Sequence, residues 1–371
     1  MARIGLAIDD TLDSTDGVQQ YVLTLGRWLV TQGHDVIYLA GRSDRTDITV
    51  RSLGPTLRVG FNQNRLNIPL PFGRIPPKQL LAELKLDVLH VQIPHAPYLT
   101  GRLVSHAPED LRIVGTFHIL PAGQLERLGT RALGLISRRQ LKRFNQIIAV
   151  SPAAADFART HYGVEPITIP NAVETTKFSA VAKQPKNDPP KILFLGRLVE
   201  RKGARHLIAA IGQLRGLYRD PLQVIIAGVG PLKSQLELQV KTLGLSQIVS
   251  FAGLIAEDQK GELLATADIA AFPSTGGESF GISIVEAMAA GSSVVLGGDN
   301  PGYRSILGPH PQLLVDPLDT PEFARRLELF LRDTKLRAEL RRWQMTSAKQ
   351  YDVEIVGRRI LEVYQIETTR N

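Results

Sequence analysis

Residues 192–203 read ILFLGRLVERKG, and residues 269–291 read IAAFPSTGGESFGISIVEAMAAG. Both stretches follow one plan: a short apolar run, then a polar loop containing glycine, then a helical pattern. In the second stretch the helical part is Ile282–Ala290, and Gly291 is expected to end it. Short apolar strands that alternate with helices are typical of a parallel sheet covered by helices on both faces.

The same alternation extends along all 371 residues. The apolar runs predicted to be strands are 4–8, 36–39, 88–91, 113–117 and 147–150 in the first half, and 192–195, 224–227, 248–251, 269–272 and 294–296 in the second. Because a chain of this length exceeds one ordinary core, we predict two doubly wound Rossmann-like α/β domains, over residues 1–171 and 191–350. The polar, proline-bearing segment 172–190 is predicted to be a linker.

Composition indicates an ordinary globular protein, with 43% hydrophobic and 22% charged residues. The absence of cysteine excludes disulfides, thiolate metal sites and a cysteine nucleophile, and it fits a reducing compartment, so a cytoplasmic location is expected. The opening MARIGLAIDD reads as a first strand and not as a signal peptide. No apolar run reaches the roughly 18 to 20 residues that cross a bilayer.

A net charge of +8 favours a polyanionic partner: a sugar nucleotide, an anionic lipid surface or a nucleic acid. The segment 125–144 places apolar residues at helical spacing beside six basic ones, which suits an anionic membrane surface. A domain helix with one solvated face explains this pattern equally well. Nucleic acid is less favoured, because no known binding motif is present and only 6% of residues are aromatic.

Ligands of open α/β sheets bind beyond the carboxyl ends of the strands, so the loops there are the candidate sites. Arg197 and Lys202 follow the strand 192–195, where glycines allow close backbone approach, and two such cations can hold a diphosphate. The alternative is a solvated helix start. Because the chain has no D-x-D tripeptide, we expect a site that binds no metal. The first strand is not followed by G-x-G-x-x-G, which argues against a nicotinamide dehydrogenase.

The glycine-rich loop 276–281 opens a helix, an arrangement typical of an anion site. Glu278 lies in this loop, and Glu286 lies in the apolar helix after it, where a carboxylate needs a partner such as ribose hydroxyls. A buried ion pair or a helix-dipole contact is the alternative for Glu286. In the first half, Gly17 opens a helix whose free N–H groups could meet a phosphate, although this segment alone fits an ordinary glycine turn at a helix start better. His118 ends a strand at its carboxyl end, which favours a site residue, and the alternative is the structural role usual for a lone histidine.

These motifs together resemble the GT-B retaining glycosyltransferases of family four. The resemblance runs over nearly the whole chain, through DGVQQYVLTLGRWLVTQGHDV, DVLHVQIPHAP, GTFH, AVSPAA and IPNAV to GRLVERKG and GGESFGISIVEAMAAG. Glu278 and Glu286, separated by seven residues, match the two-glutamate motif of that family. The family implies two Rossmann-like domains facing a cleft, with a C-terminal helix, here 351–371, that crosses back to the N-terminal domain.

The resemblance also implies roles for individual residues. Glu278 would contact sugar hydroxyls, Glu286 the ribose, Arg197 and Lys202 the diphosphate, and His118 the transferred sugar. The remaining donor-binding residues implied are Gly17, which would donate from the other domain, Gly196, the loop and helix start Ser279, Phe280, Gly281 and Ile282, and, near the nucleotide base, Gly253 and Leu254. The residues implied to bind the acceptor are Asp13, Asn62 and Arg65.

Within the family, the chain is most similar to the bacterial branch that transfers mannose to phosphatidylinositol. It departs from that branch in having Asp16 before Gly17 where a second glycine is usual, in lacking a lysine in the segment 119–123, and in a shortened segment around Arg65. Two of these departures fall at residues that hold the acceptor, so the acceptor is the part of the function that the motifs constrain least.

We therefore expect a retaining, metal-independent transferase that moves mannose from GDP-mannose to a membrane lipid such as phosphatidylinositol. It would act as a monomer, peripheral at the inner face of the cell membrane, by front-face attack in which Arg197, Lys202, Glu278 and His118 form the catalytic site. Two alternatives remain open. One is the same chemistry with a UDP-sugar or another donor, onto a diacylglycerol-type lipid or a soluble acceptor. The other is an inactive scaffold of the same fold.

Overall fold

The computed structural model describes residues 1–13, 16–54, 56–61, 64–69, 76–96, 99–118, 137–181 and 188–366, with the backbone alone at 56–61 and 64–69. The chain forms two compact units. The first contains Met1–Ala172 and Val353–Asn371, and the second is Val173–Asp352. The first unit is therefore built from both ends of the chain.

The first unit contains a seven-stranded parallel sheet in the order β3-β2-β1-β6-β7-β8-β9. Its strands are β1 (Arg3–Ala7), β2 (Asp35–Ala40), β3 (Val50–Ser52), β6 (Val88–Gln92), β7 (Arg112–Phe117), β8 (Gln146–Ala149) and β9 (Ile167–Thr168). Its helices include α1 (Gly17–Thr31), α2 (Pro77–Leu84), α3 (Leu99–His106) and α4 (Pro152–Tyr162). The central strands are buried on both faces, as parallel sheets require, which explains their continuous apolar runs.

The second unit contains a six-stranded parallel sheet in the order β12-β11-β10-β13-β14-β15. Its strands are β10 (Lys191–Leu195), β11 (Gln223–Ala227), β12 (Val249–Gly253), β13 (Ile269–Phe272), β14 (Val294–Gly298) and β15 (Leu314–Val315). Its helices are α5 (Thr175–Ser179), α6 (Ala204–Leu217), α7 (Lys233–Thr242), α8 (Lys260–Ala265), α9 (Ile282–Ala290), α10 (Pro301–Leu307), α11 (Thr320–Arg332) and α12 (Thr334–Ala348). The strand order reverses between β10 and β13, so the loops that follow these two strands meet at a topological switch point.

The last helix, α13 (Val353–Tyr364), belongs to the first unit, where it packs on α1. A Cβ atom at Gly357 would come within 2.4 Å of the Trp28 ring, so glycine permits this close approach. Arg112 Nε donates to the Val363 carbonyl at 2.8 Å and fixes the end of the helix to β7. The C-terminal helix therefore returns to the N-terminal unit, as predicted.

The parallel sheets are confirmed, and the first half also contains an element that the sequence did not predict. Besides its parallel sheet, the first unit contains an antiparallel hairpin of β4 (Thr56–Phe61) and β5 (Asn64–Pro69). Its strands are joined by only two residues, and such short connections pair strands antiparallel. The segment predicted as a linker is also partly structured, because it begins with α5, which packs on α9 within the second unit.

The two points where the chain passes between the units lie side by side. The Val173 N–H donates to the Tyr351 carbonyl at 2.9 Å, and Val173 forms a parallel bridge with Asp352. The Asp352 carboxylate also accepts a hydrogen bond from the Thr175 hydroxyl. These bonds tie the start of the second unit to its end.

Among the helices of the described ranges, none combines the length and the apolar character that a membrane span needs.

Candidate active site

The loops that follow β10 and β13 are held together by close backbone contacts. Gly203 has φ +76°, and a Cβ atom there would come within 1.9 Å of the Pro273 carbonyl oxygen. The Arg201 carbonyl accepts from the Thr275 N–H and the Ser274 hydroxyl, both at 2.9 Å. A glycine in the left-handed region thus lets the basic loop lie against the glutamate loop.

Glu278 is surrounded by basic and hydroxyl side chains. Its Oε1 lies 2.7 Å from Arg201 Nη1 and 2.8 Å from Lys202 Nζ, and it accepts a hydrogen bond of 2.9 Å from the Ser274 hydroxyl. Only 12% of the Glu278 side chain is exposed. Arg197 adds positive charge near Lys202. Two cations, Arg201 and Lys202, therefore converge on one largely buried carboxylate.

The cations determine the ionisation of this carboxylate. Burial alone would raise the pKa of Glu278, but Lys202 and Arg201 outweigh burial and hold that pKa at about 2. Burial also lowers the pKa of the Lys202 ammonium, an effect that Glu278 opposes and that Arg201 and Arg197 reinforce. Since the Glu278 carboxylate contacts two cations, Arg201 and Lys202, this group retains an excess of positive charge that an anionic ligand can neutralise.

Helix α9 begins beside this cluster, as predicted, and Gly291 ends it in the left-handed conformation. Gly281 precedes the helix with φ +149°, and a Cβ atom there would meet the Tyr303 ring at 2.9 Å. The N–H groups of the first helical turn have no partner within the helix, so Ile282 and its neighbour Ser283 present donors at this edge. Ser279, Gly281 and Ile282 are partly exposed, whereas Phe280 is buried.

Glu286 has a buried cationic partner. Lys260 Nζ lies 2.7 Å from Glu286 Oε1, and Glu286 and Lys260 are 3% and 8% exposed. Burial raises the pKa of Glu286, and Lys260 opposes this shift. The buried ion pair that the sequence left open for Glu286 is thus what the structure shows, and ribose binding by Glu286 stays a prediction.

The other predicted donor-binding residues of the second unit lie at the carboxyl edge of its sheet. Gly196 follows β10, and its carbonyl lies so close to Gly228 that a Cβ atom there would come within 1.9 Å. Gly253 ends β12 with φ +71°, and its carbonyl accepts from the Gly228 N–H at 2.7 Å. Leu254 is 74% exposed, as single apolar side chains on protein surfaces often are, and its contact with the nucleotide base stays a prediction.

In the first unit, His118 directly follows β7 and is buried. Its Nε2 lies 2.7 Å from Gln92 Oε1, and its ring meets the Tyr21 ring edge-on with centroids 4.8 Å apart. Burial lowers the pKa of His118 to about 3, although Asn171 acts in the opposite direction. The imidazole is therefore neutral at physiological pH. Gly17 begins α1, as predicted, directly after Asp16.

The predicted acceptor residues are described unevenly. Asp13 Oδ1 accepts from the Ser43 hydroxyl at 2.6 Å and its Oδ2 from the Thr11 hydroxyl at 2.9 Å, so this carboxylate holds the loop after β2. Arg65 lies in β5, opposite Gly60, and its backbone alone is described. Asn62 lies outside the described residues.

Most of the basic segment, residues 125–136, also lies outside the described residues. Arg143, at its described end, donates through Nη1 and Nη2 to the Ser105 and Ala107 carbonyls, both at 2.6 Å. This arginine therefore holds the end of α3. Such a contact is expected if the segment packs as a domain helix, which was the alternative to membrane binding.

Three partners of the predicted residues were missed in the sequence. Arg201 stands between Glu200 and Lys202, so the sequence shows that it lies near the site. Which of the neighbouring cations contacts Glu278 depends on the conformation of the turn. Lys260 lies 26 positions from Glu286, and Gln92 lies 26 from His118. Such separations carry no local signal, because adjacent strands and helices bring them together.

Comparison with known proteins assigns this architecture. Residues 176–343 match the family model "Glycosyl transferases group 1", and residues 15–177 match "Glycosyltransferase Family 4". The fold is similar to that of a glycosyltransferase from Rickettsia africae, with TM-score 0.77, 16% identity and 98% of each chain covered. It is also similar to Anabaena Alr3699/HepE in complex with UDP, with TM-score 0.75, 18% identity, and 98% of this chain and 100% of the other covered.

The two parallel-sheet units are thus those of a GT-B glycosyltransferase. The curated relatives identify the family. The phosphatidyl-myo-inositol mannosyltransferase of Propionibacterium freudenreichii is 30% identical, covering 98% of this chain and 95% of its own. That of Mycolicibacterium smegmatis is 31% identical, covering 98% and 93%. The chain belongs to the group 1 glycosyltransferases of family 4.

Proposed function

We propose that this enzyme is a retaining, metal-independent mannosyltransferase that uses GDP-mannose and glycosylates phosphatidylinositol or a closely related lipid. The structural observation that carries the reaction class is the convergence of Arg201, Lys202 and Ser274 on Glu278, with Arg197 nearby. The names of the relatives, which are 30 and 31% identical over 98% of this chain, support the donor sugar and the acceptor.

The cation cluster suits a leaving diphosphate. Arg197 offers a planar donor fork and Lys202 a point charge, and both would stabilise the negative charge that develops as the bond between sugar and phosphate breaks. In a buried site such contacts contribute about 3 kcal/mol each to the transition state. This is the charge that a divalent cation neutralises in other transferases, and metal independence is part of the proposal for that reason.

Lys202 and Arg201 would contact different groups when the donor binds. Both contact Glu278 Oε1, and Lys202 is the more exposed, at 23% against 10% for Arg201. We therefore expect Lys202 to turn to the diphosphate while Arg201 keeps Glu278 ionised. The carboxylate could then accept hydrogen bonds from sugar hydroxyls.

The proposed chemistry needs no side-chain nucleophile. The acceptor hydroxyl attacks the anomeric carbon from the face that the diphosphate leaves, the bond from that carbon to the phosphate oxygen breaks, and this oxygen takes the acceptor's proton. His118 is suited to contact the sugar without transferring a proton, because burial holds its pKa at about 3.

The lipid acceptor would bring the enzyme to the inner face of the cell membrane as a peripheral protein. The net charge of +8 supports attraction to anionic lipid. Sedimentation with vesicles tests this point: binding should require anionic lipid and weaken with salt, and an enzyme that stays in the supernatant would favour a soluble acceptor.

Transfer itself is tested by incubating the protein with phosphatidylinositol vesicles and, in separate reactions, GDP-mannose, UDP-glucose and ADP-glucose, with and without a chelator. Mass spectrometry should detect one added hexose from GDP-mannose alone, unaffected by the chelator. NMR of the product should give the α-anomer. Transfer from UDP-glucose, or transfer to glycerol in a parallel reaction but not to lipid, would replace the proposed substrates. Release of no nucleotide from any donor would indicate an inactive scaffold.

A further inference from the structure

Two pairs of buried polar side chains bridge β6 and β7 on the same face of the first sheet. His90 Nε2 lies 2.7 Å from the Thr116 hydroxyl, and two residues further along both strands Gln92 Oε1 lies 2.7 Å from His118 Nε2. The spacing of two residues places both pairs on one face. The pair at the carboxyl end of the strands contains the predicted site residue.

Gln92 is enclosed completely. Its side chain is 0% exposed, and its Nε2 has no hydrogen-bond partner within the described residues. A buried polar group without a partner destabilises the fold, so an apolar side chain would serve better if Gln92 only filled space. Within the described residues, the hydrogen bond to His118 is the one that its side chain makes.

The backbone after Gln92 is strained. Ile93 has φ +59°, a conformation that a β-branched side chain disfavours strongly. It is held there by its N–H, which donates to the Thr116 carbonyl at 2.9 Å, and by its carbonyl, which accepts from the Ala96 N–H at 3.0 Å. The turn therefore fixes the end of β6 against β7 at the point where Gln92 meets His118.

We propose that Gln92 is a positioning residue for His118: its Oε1 accepts a hydrogen bond from Nε2–H and so fixes both the tautomer and the orientation of the imidazole. This proposal rests on the proposed function, in which His118 contacts the transferred sugar. Tyr21 packs against the ring from α1, and Asn171 and His90 are the other polar groups that face it. Among these four neighbours, Gln92 and Asn171 hydrogen-bond the ring, and the Gln92 oxygen is the partner of Nε2.

A double-mutant cycle separates positioning from general support of the fold. Gln92→Met should lower kcat about tenfold with the donor KM nearly unchanged, which is the effect of losing one hydrogen bond in the transition state. In a His118→Ala background the same substitution should change kcat less than about twofold, because the residue through which Gln92 acts is gone. An equal loss in both backgrounds, or no loss in either, overturns the proposal.

Two further variants keep this test interpretable. Gln92→Glu retains an acceptor oxygen of the same length and should recover most of the activity that Gln92→Met loses at pH values where its buried carboxyl group is neutral, because an ionised carboxylate would favour the imidazolium form of His118. Gln344→Met is the matched control: Gln344 is also 0% exposed, but its amide bonds Val295 and Ser292 in the second unit. Any effect of Gln344→Met on kcat should be the same in the wild-type background and in the His118→Ala background. Thermal unfolding verifies that each variant is folded.

A spectroscopic measurement tests the hydrogen bond without any activity assay. In protein labelled with ¹⁵N-histidine, the His118 ring, assigned by its loss in His118→Ala, should carry its proton on Nε2 at neutral pH. A proton on Nδ1 overturns the proposal even if transfer is observed. If no donor is turned over but Nε2 is protonated, the proposed function has failed and the assignment of Gln92 as the partner of His118 stands.

Discussion

The candidate site of the second unit is built from charges, whereas that of the first unit is built from neutral hydrogen-bonding groups. Around Glu278, whose pKa is about 2, the cations Arg201 and Lys202 form ion pairs in a region with little exposure to water. Around His118 and His90, burial lowers both pKa values to about 3, so both rings are neutral at physiological pH.

This difference matches the two parts of the proposed donor. A diphosphate is anionic, and a cluster with surplus positive charge binds it. A sugar is neutral but densely hydroxylated, and a rigid neutral ring can contact it at a fixed place without a change of protonation. Removing a charge from the second unit should therefore have large effects, while the first unit should respond to smaller changes of geometry and pH.

The largest effect is expected for Lys202→Ala. Loss of this cation removes the stabilisation of the leaving diphosphate, so kcat should fall by about 10³-fold. Steady-state kinetics with donor and lipid measure it. Lys233→Ala is the matched control in the same unit, since Lys233 is half exposed and lies 3.7 Å from Glu237 on α7. A fall in kcat of less than about tenfold for Lys202→Ala would contradict the proposal that the charges of the second unit stabilise the leaving diphosphate.

Lys260→Met should cost about 3 kcal/mol of unfolding free energy, because it leaves the buried Glu286 carboxylate without its cation. Denaturant unfolding measures this loss. The double variant Lys260→Met with Glu286→Gln should recover most of it, since the uncompensated charge is then absent. A double variant as unstable as the single one would show that packing, and not charge, dominates at α9.

A glycine comparison tests the geometry of the two units. At Gly203, φ +76° and the 1.9 Å approach of a Cβ atom to the Pro273 oxygen both oppose a side chain, whereas Gly163, with φ +65°, has nothing within 4 Å. Gly163→Ala should cost about 1 kcal/mol and Gly203→Ala about 2 kcal/mol more, with reduced donor affinity. If both variants lose the same stability in thermal unfolding, the loop around Gly203 can shift to accommodate a side chain at little cost.

A smaller effect is expected for Asp9, which follows β1 in the first unit. Burial raises the pKa of Asp9 to about 6, although hydrogen bonds from Thr100 oppose the shift. Because folding disfavours its ionised form, the resulting stability is present below about pH 4 and is lost as the pH rises through about 6. Asp9→Asn should therefore raise the melting temperature by a few degrees at about pH 8 and have less effect at about pH 4.

Asp47→Asn provides the opposite case. Hydrogen bonds from Arg45 and Arg27 lower the pKa of Asp47, so the aspartate stabilises the protein at neutral pH and this contribution is lost in acid. Since Asp47 is nearly half exposed, the loss in Asp47→Asn should be slight. A pH response of the same sign in both variants would contradict the assignment for Asp9.

The sequence predicted the parallel strands because strands buried on both faces must be apolar throughout, as in Ile269–Phe272. It also predicted the end of α9, since Gly291 alone supplies the left-handed conformation there. It could not predict the partners of the site residues. Whether Glu286 meets a cation depends on how α8 packs on α9, and that packing has no signature in either segment.

The hairpin β4–β5 shows a different limit of the sequence. Neither strand presents the continuous apolar run of a buried strand, and β5 ends in a proline, although β4 does alternate, with apolar residues at 57, 59 and 61. Antiparallel pairing of neighbouring segments needs little more than a short turn. A search for continuous apolar runs therefore finds the strands of the central sheets and misses such a hairpin.

The hydrogen bond between Val173 and Tyr351 makes the second unit an insertion in the topological sense. Both of its ends leave the first unit at adjacent points, so the polypeptide of the first unit is interrupted once and resumes a few ångströms away. Recombination between relatives that share these two neighbouring junctions would exchange the whole second unit, including the cluster around Glu278, while the residues around His118 keep their own chain path.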